Sequence, residues 1–161
     1  MAEQSSLPQV GKSAPKFKLP ASGGQTISLD DFKGKQTVVL YFYPRADTPG
    51  CTKQACGFRD AVADYKKAKI AVLGISPDPV KGVDKFSTKF DLNFPLLADE
   101  DHAIAEKYGV WVEKSMYGKK YWGVARTTFV IDKDGKIKHI FEKVKPEGHD
   151  QEVMAWLKEH P

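Results

Sequence analysis

The sequence predicts an α/β domain whose core runs strand, helix, strand, helix, strand, strand, helix, with a small hairpin before it and an insertion after the second helix. Three observations predict this. Residues 37–43 (TVVLYFY) and 70–76 (IAVLGIS) are uninterrupted apolar runs rich in β-branched and aromatic side chains, as strands buried on both faces should be. Between them Cys51, Ala55, Phe58, Val62 and Tyr65 recur at spacings of four, three, four and three, which is one stripe of a helix. Near the end, residues 127–131 and 136–141 flank Asp132-Lys133-Asp134-Gly135, an Asp-Gly hairpin signal.

In chain order, residues 1–10 read as a loose arm. Residues 11–19 are extended and residues 25–29 form a short strand, with Gly23-Gly24 as the turn of a hairpin. Residues 44–50 are a loop, and the helix after it starts with Thr48 as N-cap and Pro49 at the first helical position. Lys66, Lys67 and Lys69 close it, which suits the negative end of the dipole. Strand, helix and strand with short links make a βαβ unit with a right-handed crossover. Asp78 then reads as the N-cap, and Pro79 as the first residue, of a helix to about Phe90. Asp99 caps a short helix through Ile104 to Tyr108, stopped by Gly109.

Residues 110–124 mix Trp111, Tyr117, Tyr121 and Trp122 with Lys114, Lys119 and Lys120, and are read as core anchors within a surface loop. His139 is placed on one strand face with Ile137 and Phe141, at the edge of the core. Residues 150–159 close the chain as an amphipathic helix carrying Val153, Trp156 and Leu157. With the N-terminal hairpin and residues 93–126 set aside, this order matches the thioredoxin fold.

At 161 residues and 41% apolar, the chain is expected to form one domain, 1–161, whose core needs no staples. Its 25 Lys+Arg against 21 Asp+Glu leave +4, too small a surplus to point to nucleic acid. The longest apolar run, residues 37–44, is far short of a membrane span. The opening residues have no basic start and no apolar stretch, so a cytoplasmic protein is expected. Two cysteines exclude a disulfide-dense scaffold and a four-cysteine zinc site, but not redox chemistry. Asp99-Glu100-Asp101-His102 reads as an acid-rich helix start rather than a metal site.

The two cysteines, Cys51 and Cys56, lie five apart. Cys51 sits in the first helical turn, where free N–H groups and the positive dipole end favour a thiolate, the nucleophilic form of the side chain. It also begins the apolar stripe, so its sulfur faces inward at a dry rim suited to attack on a small substrate. Five residues along a helix separate the two Cα atoms by about 8.7 Å, more than the roughly 7 Å a disulfide spans. Either the cysteines act independently or the helix start must unwind for them to pair.

Pro44-x-x-x-Thr48-x-x-Cys51 resembles the peroxidatic motif of the peroxiredoxins, thiol peroxidases of the thioredoxin superfamily. The run YFYPRADTPGCTKQACGFRD is similar to the bacterioferritin-comigratory (peroxiredoxin Q) branch. The likeness extends to Gly11-x-x-Ala14-Pro15-x-Phe17 and to residues 126–132 (RTTFVID). It implies that Cys51 is the peroxidatic cysteine, oxidised to a sulfenic acid, and that Cys56 is the resolving cysteine forming a disulfide with it. It further implies that Thr48 orients thiolate and peroxide, that Arg126 holds the thiolate ionised and that Pro44 shields the sulfur. The implied substrates are hydrogen peroxide and small organic hydroperoxides, and the implied reductant is thioredoxin or a similar dithiol donor. No cofactor or metal is implied, and a monomer is expected. Gln54 stands where this branch often has Glu, and Ala46 where Asp is frequent; neither difference is expected to touch the chemistry.

Two other readings compete. A thioredoxin-like dithiol oxidoreductase would resemble Cys-x-x-Cys proteins and carry a cis-Pro before its third core strand, where this chain has Thr127-Thr128. A redox sensor or holdase would use the same two cysteines to signal rather than turn over.

Overall fold

The computed structural model describes residues 7–160, so most of the expected loose arm, residues 1–6, lies outside the described residues. The chain runs through β1 (Lys18–Pro20), β2 (Thr26–Ser28), β3 (Thr37–Phe42), α1 (Pro49–Lys67), β4 (Ile70–Ser76), α2 (Val80–Lys89) and β5 (Leu96–Ala98). It continues through α3 (Ala103–Lys107), β6 (Trp111–Met116), β7 (Lys119–Val124), β8 (Thr127–Ile131), β9 (Ile137–Phe141) and α4 (His149–Glu159). Five strands form one mixed sheet in the order β5-β4-β3-β8-β9. β3, β4 and β5 are parallel, β8 runs antiparallel beside β3, and β9 pairs antiparallel with β8 at the sheet edge. The core is the thioredoxin-like order read from the sequence, and β1–β2 is the expected N-terminal hairpin.

The sheet divides the core in two because successive strand residues face opposite ways. Val38, Leu40 and Phe42 of β3 pack with the N-terminal hairpin and α3. Val39, Tyr41 and the following Tyr43 pack with α1, α2 and α4. Gly74 of β4 makes room for this second layer, because a methyl group there would lie 2.9 Å from both Leu96 and the Tyr41 ring. That ring instead stacks on Phe58 of α1, centroids 4.8 Å apart. Gly74→Ala is therefore expected to cost about 1–3 kcal/mol by overpacking, read as a lower urea midpoint at unchanged slope.

α4 is fixed at its start. His149, buried, links Thr128 Oγ1 (2.8 Å) to Glu152 Oε1 (2.8 Å), and Tyr65 donates to the Asp150 carbonyl (2.7 Å). α4 presses so closely on α1 that a methyl group on Gly57 would sit 2.5 Å from Asp150 Oδ1.

Four expectations need correction. β5 is a third parallel strand inside the stretch set aside as insertion; it is three residues long between Pro95 and Asp99, too short to show a pattern. Residues 111–124 form an antiparallel hairpin instead of a loop, turning at Tyr117-Gly118 with both φ positive, and of the expected anchors only Trp111 packs against the core. Trp111 is half-buried and stacks on His102, whereas Met116, Tyr117, Tyr121 and Trp122 are exposed because no second layer covers the hairpin.

Ile137 does not share a face with His139 and Phe141. A register shift pairs Val130 with His139 but Ile131 with Ile137, so Lys138 is skipped and Ile137 turns to the opposite layer. Asp78 does not cap α2, which starts two residues later with Pro79 at the N-cap position. Asp99 does cap α3, at long reach: its two carboxylate oxygens accept from Ile104 N–H (3.1 Å) and Ala105 N–H (2.9 Å). No helix among the described residues is long and apolar enough to cross a membrane.

Candidate active site

The site forms where β3 hands over to α1. The last sheet bond of this strand runs from Tyr43 N–H to Ile75 O (3.0 Å), and the half-buried Pro44 then turns the chain into the loop. The carboxylate of Asp78 holds that loop. Its Oδ2 accepts from Ala46 N–H (2.7 Å) and from the buried Ser76 hydroxyl (2.7 Å), and the start of α2 has no side-chain cap. Asp47 follows in the left-handed region with φ 60°, and its carboxylate pairs with Lys89 (2.9 Å).

Thr48 occupies the N-cap of α1 by its backbone, with φ −99° and ψ 155°. Its hydroxyl does not cap the helix: it donates back to Arg45 O (3.0 Å). Pro49 takes the first helical position as expected. The first-turn N–H groups are left without a side-chain cap, and Cys51 is the third residue of the helix.

The Cys51 side chain points into the layer between β3 and α1 and is 1% exposed. Arg126, in the short link between β7 and β8, reaches it with Nη2 3.3 Å from Sγ. The other terminal nitrogen, Nη1, donates to Gln54 Oε1 at 2.7 Å. The Arg126 main chain is held by Val144 N–H on its carbonyl (3.1 Å), and the preceding residue by Ala125 N–H to Val110 O (2.8 Å). Gly50 permits the approach, since a methyl group there would lie 3.4 Å from Nη2 and 3.3 Å from Pro146. Gln54, expected to stand apart from the chemistry, is therefore in contact with the guanidinium that reaches Cys51. Three residues after Cys51 on a helix brings it to the same face, and there it holds the guanidinium.

Below the sulfur lie two phenols. Burial, reinforced by Tyr43 and Cys51, raises the Tyr41 pKa well above its ordinary value, and burial likewise raises Tyr43, so both stay neutral. Beyond Arg126 a cleft of about 450 Å³ is lined by Leu7, Val112, Lys114, Arg126 and Lys143, among others. Burial and then the Arg126 charge lower the Lys114 pKa.

Of the residues singled out in the sequence, Cys51 and Arg126 are brought into contact. Thr48 stands at the N-cap one turn before the sulfur, with its proton on Arg45. Cys56 is half-buried on the same unbroken helix, and both thiols are free. The helix geometry that separates their Cα atoms by about 8.7 Å therefore applies. A guanidinium fixed beside a buried sulfur at a helix start stabilises negative charge on that sulfur and on an oxygen approaching it.

Residues 10–140 match the profile of the AhpC/TSA family. The chain belongs to this family. Peroxiredoxin Bcp of Escherichia coli is 52% identical over 152 residues, covering 94% of this chain and 97% of its own length. A crystal structure of a PrxQ variant from Xylella fastidiosa is similar over 97% of this chain and 99% of that one, with TM-score 0.90 and 33% identity. The bacterioferritin comigratory protein of Xanthomonas campestris, solved in work on its alkyl peroxide reduction, is 39% identical. It covers 89% of this chain and 91% of its own, with TM-score 0.84.

The chain is accordingly a peroxiredoxin, an oxidoreductase with thiol peroxidase activity, and its thioredoxin-like fold is that of its peroxiredoxin relatives. Sequence reasoning missed the parts of this peroxiredoxin's site that act through other residues. From the sequence, Asp78 reads as a helix cap and Gln54 as a departure that does not touch the chemistry. The Gly50–Pro146 approach and the Lys114 cleft join segments far apart in sequence. The one available signal was Gln54 at three residues from Cys51.

Proposed function

We propose that the peroxiredoxin reduces hydrogen peroxide and small organic hydroperoxides through Cys51, with Cys56 as resolving thiol and thioredoxin or a similar dithiol protein as reductant. The observation that carries this reading is the 3.3 Å contact of Arg126 with the buried Cys51 sulfur at the start of α1. The thiolate attacks one peroxide oxygen, the O–O bond breaks, and the departing oxygen takes a proton and leaves as water or an alcohol. Cys51 is then a sulfenic acid. Arg126 stabilises the thiolate and the charge shared between the two oxygens. Thr48 orients the incoming peroxide through its hydroxyl, and Pro44 keeps bulk water from the sulfur.

The Cys56 thiol next attacks the sulfenic sulfur, releasing water and forming a disulfide once the first turns of α1 unwind. Two thiols of the reductant restore both cysteines by exchange and leave as the reductant's disulfide. The same reading takes the chain as one domain, 1–161, acting as a cytoplasmic monomer without cofactor or metal.

The test is peroxide consumption coupled to thioredoxin, its reductase and NADPH. Turnover with thioredoxin supports the reading, and none with any dithiol donor sinks it. In Cys56→Ser, hydrogen peroxide is expected to produce a Cys51 sulfenic acid that dimedone labels, while thioredoxin-linked turnover falls by at least about tenfold because the exchange partner is gone. Recycling at the wild-type rate would remove Cys56 from the scheme.

A further inference from the structure

The Arg126 guanidinium is held by a thiol and an amide. Its side-chain hydrogen bonds go to Cys51 Sγ and to the amide oxygen of Gln54. Among the described residues no carboxylate lies within ion-pair distance of it. The Gln54 side chain is held in one sense, because only its oxygen can accept from Nη1. It is 1% exposed, and its Nε2 finds no acceptor in the protein. An unpaired buried amide donor is destabilising, and a carboxylate at this place would avoid that cost by accepting from Arg126 without bringing a donor of its own.

We propose that Gln54 is a positioning residue that fixes Arg126 through a neutral acceptor, so that the guanidinium keeps its whole charge for the Cys51 thiolate. The proposal rests on the reading of Cys51 as the reacting thiol. The geometry separates two functions that a carboxylate would combine. The 2.7 Å bond sets the direction of the guanidinium plane, as any acceptor would. The neutrality of the acceptor leaves the field at the sulfur positive. Three titratable groups that interact with Cys51 do not cancel this field. Tyr41 of β3 and Tyr43 just after it are neutral, and Lys114 from β6 is a second cation. Cys56 lies farther along α1.

Gln54→Glu retains the shape and the acceptor and adds one negative charge; Gln54→Leu removes the acceptor and adds none. Both are made on a Cys56→Ser background so that one thiol reports. Iodoacetamide alkylation of Cys51 is followed against pH, and the single-turnover reaction with hydrogen peroxide is followed in parallel. In Gln54→Glu the half-maximal pH of alkylation is expected to rise by about half to one unit, as a like charge near a thiolate requires. The peroxide rate at neutral pH should fall several-fold and recover toward the parent rate above the new midpoint. In Gln54→Leu the peroxide rate should stay low at every pH, because the guanidinium is no longer aimed.

An unchanged alkylation midpoint in Gln54→Glu overturns the proposal. So does a loss of rate that no pH restores in that variant, since a purely structural role behaves that way. Alkylation needs no peroxidase activity. A failure of the Cys51 reading would instead appear as peroxide reduction that survives Cys51→Ser.

Discussion

Cys51→Ser is expected to bring peroxide reduction down to the uncatalysed background. The side chain loses one atom type and little volume, so the layer between β3 and α1 stays filled and the fold should persist. The chemistry does not. A serine hydroxyl beside Arg126 remains protonated near neutral pH, and its oxygen cannot cycle through a sulfenic acid or a disulfide. Stopped-flow mixing with hydrogen peroxide, with circular dichroism as the folding control, measures both. A folded Cys51→Ser protein that still consumes peroxide would transfer the reaction to Cys56 and remove the basis of the mechanism above.

Arg126→Gln is expected to produce the second largest loss, about 10²–10³ in the second-order rate with hydrogen peroxide, the range found when one preorganised donor is removed from a developing oxyanion. The guanidinium has two tasks through two nitrogens: Nη2 faces Sγ and Nη1 is tied to Gln54. Arg126→Lys should therefore recover only part of the rate, since an ammonium restores charge but not the planar fork that meets both partners. An effect under fivefold in Arg126→Gln would mean that the helix start and Lys114 suffice to hold the thiolate. The rate is read in a single turnover, so slow recycling cannot mask it.

The extent to which these features were legible follows from how local their causes are. β3, β4, α1 and α4 were readable because each carries its own apolar pattern over five or more residues. Cys51 was readable because the helix start, the apolar stripe and the motif agree within a few residues of it. The β6–β7 hairpin was not, since both of its faces carry exposed aromatic and lysine side chains and no alternation survives.

β9 was readable as a strand but not in its facing, because the skipped Lys138 is a property of the pairing rather than of the strand. The contacts of Arg126 with Cys51 and Gln54 span 75 and 72 residues, so only resemblance could point to the first, and the sole local signal for the second is that Gln54 lies three residues after Cys51. Asp78 offered a plausible helix cap, and another pair of donors, Ala46 N–H and Ser76 Oγ, won the carboxylate.

The seat of α4 against Gly57 sets a limit on any rearrangement of α1. Gly57 directly follows Cys56, and from this point on the helix is gripped from several directions: Asp150 against Gly57, Phe58 among Tyr41, Tyr65 and His149, and Arg59 on the Phe90 carbonyl (2.8 Å). Ahead of it, residues 49–56 meet Arg126 through Cys51 and Gln54, meet Pro146 at Gly50, and bury Cys51 and Ala55 in the layer against β3. A bond between the two sulfurs needs only this leading piece, roughly two turns, to let go. The boundary falls between adjacent residues, so the proposed disulfide would have a fixed reach along the chain. In that cycle the sheet, α2 and α4 would keep their places, and the memory of a peroxide encounter would be confined to one end of one helix.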